Sequence, residues 1–222
     1  MPPQASAPFV ARMEDVLEVY ARSYDPEYPQ ICLDEKRKEL RDTPQGQLPP
    51  APNQPRREDY EYTRQGSASI LLWNEPLTGR CGLRVEETAD SLSFANLIQE
   101  IVDLHYPQAR KVVLVTDNAS YHTPAALYKA FPPQEAFRLA QKIEWHYTPA
   151  HGSWLNMAEI ELSVLERQCL DRRIPDLATL QAEAQAWAQR RNQQKVVIQW
   201  RFTTADARIK LAHLYPKRSG DD

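Results

Sequence analysis

Apolar residues along the chain fall into runs with two different spacings, and those spacings predict the elements. The densest run is Val112, Val113, Leu114, Val115 and Thr116, with no polar break. Its β-branched density predicts a strand covered on both faces, ended by the polar residues Asp117 and Asn118. Asp117 therefore stands at a strand's carboxyl end, where open α/β sheets gather ligands and catalytic groups. A shorter run, Gln30 to Glu35, ends in acids and predicts a second strand with Asp34 near its end. Asp34 and Glu35 point to opposite faces of such a strand, so at most one of them can face Asp117. Tyr60 to Trp73 and Gly79 to Glu86 read as a strand hairpin turning at Asn74 to Thr78, and Ile143 to Tyr147 as a last short strand.

Helical spacing accounts for most of the remainder. Phe9, Met13, Val16, Leu17 and Tyr20 lie on one helix face, packed on the main body or linking it to something upstream. Asp90 or Ser91 caps a helix that reaches His105, stopped by Pro107. Thr123 and Pro124 start a helix to Phe131, and the Pro132-Pro133 break launches another to Lys142. After the loop Thr148 to Ser153, Ser153 is placed to cap a long helix whose stripe is Leu155, Ala158, Leu162, Leu165 and Cys169. Pro175 and Asp176 open a further helix with Leu177, Leu180, Ala184 and Trp187 inward, and Thr204 caps one that ends near Tyr215. Thr43 to Arg57, with five prolines, reads as an extended surface loop.

Three antiparallel strands joined by a helical crossover to a parallel strand predict an α/β fold, a mixed sheet with helices on both faces. If the crossover strand lies beside the first strand, Asp34 and Asp117 become neighbours. Composition adds limits to this picture. The 222 residues suffice for a sizeable core. Three scattered cysteines, Cys32, Cys81 and Cys169, fit buried thiols in a reducing cytoplasm rather than a disulfide framework or a zinc site. No apolar run is long enough to span a membrane, and no export signal opens the chain. The net charge of -3 hides an asymmetry: Leu165 to Arg218 holds 11 Lys or Arg against 5 Asp or Glu. A basic segment suited to phosphates is joined to an acidic one suited to cations.

Adjacent carboxylates repel one another, and shared divalent cations relieve that repulsion. Hard ions such as Mg²⁺ take oxygen ligands and bridge phosphates, and a pair of them promotes in-line displacement at phosphorus. A third carboxylate would complete the site. Glu159, Glu161 and Glu166 all lie on the long helix, and periodicity alone does not choose among them.

The blocks CLDEK (Cys32 to Lys36), VTDNASYH (Val115 to His122) and HGSWLNMAEIELSVLERQCLDRRIPD (His151 to Asp176), with WRFTTADARIKLAHLYP near the end, resemble the catalytic domain of bacterial mariner-type insertion-sequence transposases of the IS six-thirty group. The resemblance covers Phe9 to Pro216. It implies a DDE endonuclease with a ribonuclease-H-like, mixed five-stranded sheet, divided into a linker helix and lead-in (1–29), a catalytic domain (30–216) and a tail (217–222). It puts the three metal-holding acids on Asp34, Asp117 and, through the Leu-Asn-x-x pattern of Leu155 to Ala158, on Glu159. It also implies two Mg²⁺ or Mn²⁺ ions, and Asn118, His122 and Asn156 as neighbours that orient ligands or touch phosphate. Trp154, Arg172, Arg173, Arg190 and Arg191 are its candidates for DNA contact. The implied activity is DNA cleavage and strand transfer by a homodimer acting on element ends and target DNA, in the bacterial cytoplasm and on the nucleoid. Family members usually carry an amino-terminal helix-turn-helix region, and by the resemblance this sequence is expected to begin at the connecting helix that follows it. That departure leaves two expectations: a catalytic half with a separately encoded DNA-binding segment, or a catalytically silent remnant acting as a DNA-binding or interaction module.

Overall fold

The computed structural model describes residues 5–42 and 62–217. The predicted proline-rich loop, the start of the Tyr60 run and nearly all of the tail lie outside the described residues. The elements run α1 (Ala7–Tyr20), β1 (Gln30–Asp42), β2 (Thr63–Glu75), β3 (Arg80–Glu86), α2 (Ser91–Glu100), β4 (Val112–Thr116), α3 (Pro124–Ala130), α4 (Pro133–Lys142), β5 (Ile143–Tyr147), α5 (Ala158–Leu165), α6 (Leu177–Gln194) and α7 (Thr204–Lys210). One sheet has the order β3-β2-β1-β4-β5. The β1-β2-β3 part is antiparallel, whereas β4 runs parallel to β1 and β5 parallel to β4.

All five residues of β4 are buried, as the unbroken apolar run predicts. Alternate side chains enter different cores. Val113 and Val115 join Cys32, Ile70 and Leu72 beneath α1, α5 and α6. Val112 and Leu114 join Ile31, Leu33, Leu71 and Trp73 beneath α2, α3 and α4. Each such aliphatic side chain contributes about 1.5–3 kcal/mol over its exposed state, so β4 is anchored from both sides. The edge beyond Thr116 is thereby held in place.

Strand β1 departs from the expected short run: it extends over 13 residues to Asp42, and Asp34 lies well inside it. Only the β1–β4 pairing is short, from Gln30 to Cys32, while β2 pairs with β1 from Cys32 to Asp42. Carrying the parallel register two residues beyond Cys32↔Val115 sets Asp34 opposite Asp117. Asp34 is therefore poised where one neighbour of β1 stops and the other continues. The outer half of β1 is a polar two-stranded ribbon with only Leu40 buried, so its sequence carries no core-facing alternation.

The long helix is also divided. Ser153 begins a short 3₁₀ turn, Ser153–Leu155, and α5 starts at Ala158 without a side-chain cap from Met157. After Leu165 the chain widens into a π-helical turn, Glu166–Leu170. The expected stripe stays buried through Leu162, Leu165 and Cys169 despite these breaks. The capping roles fall to Asp90, Asp176 and Thr203, the last of these one residue before the expected Thr204. No helix among the described residues is long and apolar enough to cross a membrane.

Candidate active site

The β1 edge, the β4 terminus and the first turn of α5 converge beside Asp34. Asp34 is 8 % exposed. Its Oδ1 accepts from the Glu35 backbone N–H at 2.8 Å, and its Oδ2 accepts from Asn156 Nδ2 at 3.1 Å. Asn156 also donates to the Leu33 carbonyl at 2.9 Å, and its Oδ1 accepts from Ala158 N–H at 3.1 Å. One buried amide thus clips β1 to the start of α5, the helix that carries Glu159. Burial, opposed by the bond from the Glu35 backbone N–H and reinforced by the carboxylates of Glu159, Asp117 and Glu35, pushes the Asp34 carboxyl up to about 7.

The three helix acids are distinguished by their partners. Glu161 is 3 % exposed and meets Arg191 in a two-pronged pair, with Arg191 Nε at 2.8 Å and Nη2 at 2.7 Å. Glu166 pairs with Lys36 at 3.2 Å. Glu159 has no ion pair among the described residues, is half-buried, and is the helix acid whose charge acts on Asp34. Geometry therefore separates Glu159 from Glu161, which periodicity did not.

Asp117 leaves β4 with its Oδ1 accepting from Ala119 N–H at 3.0 Å and lying 2.5 Å from His122 Nδ1. Burial raises its carboxyl, but the bonds from His122 and Ala119 outweigh that and hold it below the ordinary aspartate range. His122 is fully buried, lies 3.0 Å from Thr116 Oγ1 and packs its ring on Phe94 at 4.7 Å.

Glu35 is the residue the sequence reading set aside. Asp34 and Glu35 do leave β1 on opposite faces, as alternation requires. Asp117 lies beyond the last β4 pair. Donor atoms of Glu35, Asp117 and His122 all lie within 4.8 Å of one another. Of the two β1 acids, Glu35 is the one in close reach of Asp117, whereas Asp34 feels Asp117 through its charge. Asp34, Asp117 and Glu159 form a wider set, coupled through repulsion on Asp34. The available signal was the pairing of an early β4 stop with a histidine five residues after its terminal acid.

The remaining predicted residues divide in their surroundings. Asn118 is spent on a structural clip: its Oδ1 accepts from the Arg12 guanidinium and its Nδ2 donates to the Thr148 carbonyl, tying α1 to the ends of β4 and β5. Trp154 stacks on Trp200 at 6.4 Å and meets Phe202 edge-on at 5.9 Å. Arg191 is engaged by Glu161, and its side chain is 11% exposed. Arg172 pairs with Glu183 at 2.8 Å, Arg173 lies over the Tyr62 ring, and Arg190 is exposed.

Comparison with known proteins agrees with this architecture. A family model described as DDE superfamily endonuclease matches residues 29–181. Among solved structures, the Mos1 mariner paired end complex with Mn is 16% identical, with a TM-score of 0.54 over 88% of this chain and 60% of that one. The Mos1 paired end complex with Mg is 14% identical, covering 98% of this chain and 66% of that one, with a TM-score of 0.48. This chain therefore spans less than two thirds of the length of those structures. No curated protein matches. The first likeness shows the fold, the ribonuclease-H-like mixed sheet flanked by helices. With the family model spanning more than half of its length, the chain belongs to the DDE superfamily endonucleases.

Proposed function

We propose that this chain is a transposase catalytic domain that performs metal-dependent DNA strand cleavage and strand transfer, with Asp34, Asp117 and Glu159 as its catalytic, metal-holding acids. The observation that carries the reading is the position of Asp34, a buried carboxyl raised by the charges of both other acids while Glu161 and Glu166 are engaged by cations. The donor set fits a hard divalent cation, Mg²⁺ or Mn²⁺: all three donors are carboxylates, and their mutual repulsion is the kind a cation relieves. Bound there, two such ions supply Lewis acidity and activation of an attacking oxygen.

The protein's own contribution is positioning. Asn156 holds Asp34 in line with the start of α5, and His122 with Ala119 N–H fixes the direction of Asp117. Phosphoryl transfer depends on such placement and needs no covalent enzyme intermediate. The description of the Mos1 structures as paired end complexes with Mn or Mg motivates the finer proposal of a homodimer working on element ends and target DNA.

The test is nicking of supercoiled plasmid, and joining of a 3′-hydroxyl-ended duplex to it, in Mg²⁺ or Mn²⁺. Asp117→Asn is expected to lower the rate by about 10³-fold or more, since ions contribute several kcal/mol to such barriers and about 1.4 kcal/mol is tenfold. Full activity in Asp117→Asn, or activity indifferent to chelation, contradicts the proposal.

A further inference from the structure

We infer that Glu35 is a positioning residue for the proposed reaction, acting through His122 to hold the Asp117 carboxylate in its ligand orientation. The inference rests on the reading of Asp117 as a metal ligand and adds a residue outside that acid set.

The side chains form a continuous series. The Tyr121 hydroxyl donates to Glu35 Oε1 at 2.6 Å. Glu35 Oε2 lies 3.3 Å from His122 Nε2. His122 Nδ1 lies 2.5 Å from Asp117 Oδ1. The middle link is informative because both of its atoms are buried and neither makes a hydrogen bond, although they face each other at 3.3 Å. Buried polar atoms without a partner are costly, and each of these two is the complement that the other faces.

The arrangement also answers a mechanical need. Asp117 follows the last sheet residue, and its side chain remains 41% exposed. Apart from Ala119 N–H, its direction depends on His122. The imidazole in turn is clasped by the Phe94 and Tyr121 rings, each at 4.7 Å, which fix its plane. Ring packing does not by itself fix the ring's sense within that plane, whereas an acid beside Nε2 and another beside Nδ1 do. Polar groups one step removed from a metal ligand orient it in this way, and their loss typically weakens metal binding by about 10–100-fold.

The test is Mn²⁺ titration of the full chain, read by the electron paramagnetic resonance of the free ion, with folding checked by circular dichroism. Glu35→Ala is expected to weaken binding by about 10–100-fold. Glu35→Gln, which keeps an acceptor for Tyr121, is expected to weaken it less. Against a His122→Ala background the Glu35 substitution is expected to have no further effect, because the link it acts through is gone. If Glu35→Ala does not fold, Glu35→Gln serves in the same cycle. An undiminished effect in the His122→Ala background means Glu35 acts directly on the ion and overturns the inference, as does unchanged binding in both Glu35 variants. Asp117→Asn separates the two levels: binding equal to the unsubstituted chain overturns the metal-ligand reading itself. Loss in Asp117→Asn together with no effect of Glu35 overturns only the positioning role.

Discussion

Two glutamates two positions apart in sequence have opposite surroundings on α5. Glu161 is sunk beneath the sheet against Arg191, while Glu159 remains half-buried beside Asp34. The pair with Arg191 is sheltered on both sides, with 11% and 4% side-chain exposure, so removing one partner strands a charge in the interior. Glu161→Gln is expected to cost about 3 kcal/mol, a fall in Tm of roughly 6–12 °C for a chain of this size. Glu159→Gln is expected to leave Tm within about 2 °C while abolishing metal-dependent nicking, since it breaks no ion pair. Thermal unfolding of the two variants side by side decides the matter, and an equal loss of stability in both contradicts this division of labour. In sequence the two acids flank the apolar stripe almost equally. What distinguishes them is Arg191, 30 residues away, and a partner at that distance leaves no local trace.

At the scale of elements, α1 is built into the body rather than attached to it. Its apolar face enters the same core as α5 and α6, and the Tyr20 hydroxyl donates to the Leu155 carbonyl at 2.7 Å just ahead of Asn156. Asp15 reaches His146 at 2.8 Å, and Glu14 receives Arg208 of α7 at 2.9 and 3.0 Å and the Tyr215 hydroxyl at 2.8 Å. The bond from Arg208 is the largest influence on Glu14 and holds its carboxyl below the ordinary glutamate range. A depressed acid stabilises the fold at pH above its unfolded value, near 4.3, and loses that contribution as pH falls through the lower folded value. The destabilisation caused by Arg208→Ala, read as a shift in urea midpoint, is therefore expected to be present at pH 6 and to shrink by pH 3. A shift that stays constant over that range excludes the Glu14 link. The amphipathic spacing of α1 was legible, and so were the strand–hairpin–helix order and the exit of Asp117 from β4. The length of β1 was not, because a polar ribbon paired only to β2 owes its strand state to hydrogen bonds and not to burial. The break in α5 was hidden for a related reason: the stripe Leu162, Leu165 and Cys169 keeps its register through a π turn.

Across the whole molecule, a chain with a net charge of -3 still gathers Lys38, Arg41, Arg167, Arg172, Arg173 and Arg190 in one region, with Glu39, Asp171 and Glu183 among them. Two grooves meet at Arg172: one of about 350 Å³ beside Lys38, Arg41 and Arg173, and one of about 260 Å³ beside Arg167 and Arg190. Lys38 and Arg41 come from the outer ribbon of β1, the same strand that carries Asp34, so a backbone following that ribbon would lead toward the candidate site. Local charge counting found the basic segment from Leu165 to Arg218 but not the contribution of β1, which only the fold brings to it. Phosphate contacts act without regard to base sequence and release counterions, so their loss reads as a smaller salt dependence. Arg172→Ala with Arg190→Ala is expected to weaken binding of unrelated duplexes alike. Each lost contact is expected to lower the slope of log K against log salt by about 0.9, as measured by fluorescence anisotropy between roughly 50 and 200 mM salt. Arg191→Ala provides the contrast: its guanidinium is held by Glu161, so its loss is expected to appear in Tm, with the salt slope of the folded fraction unchanged. An unchanged slope in the Arg172 and Arg190 double variant removes this face from the DNA path, and a reduced slope in Arg191→Ala removes the distinction between the two kinds of arginine.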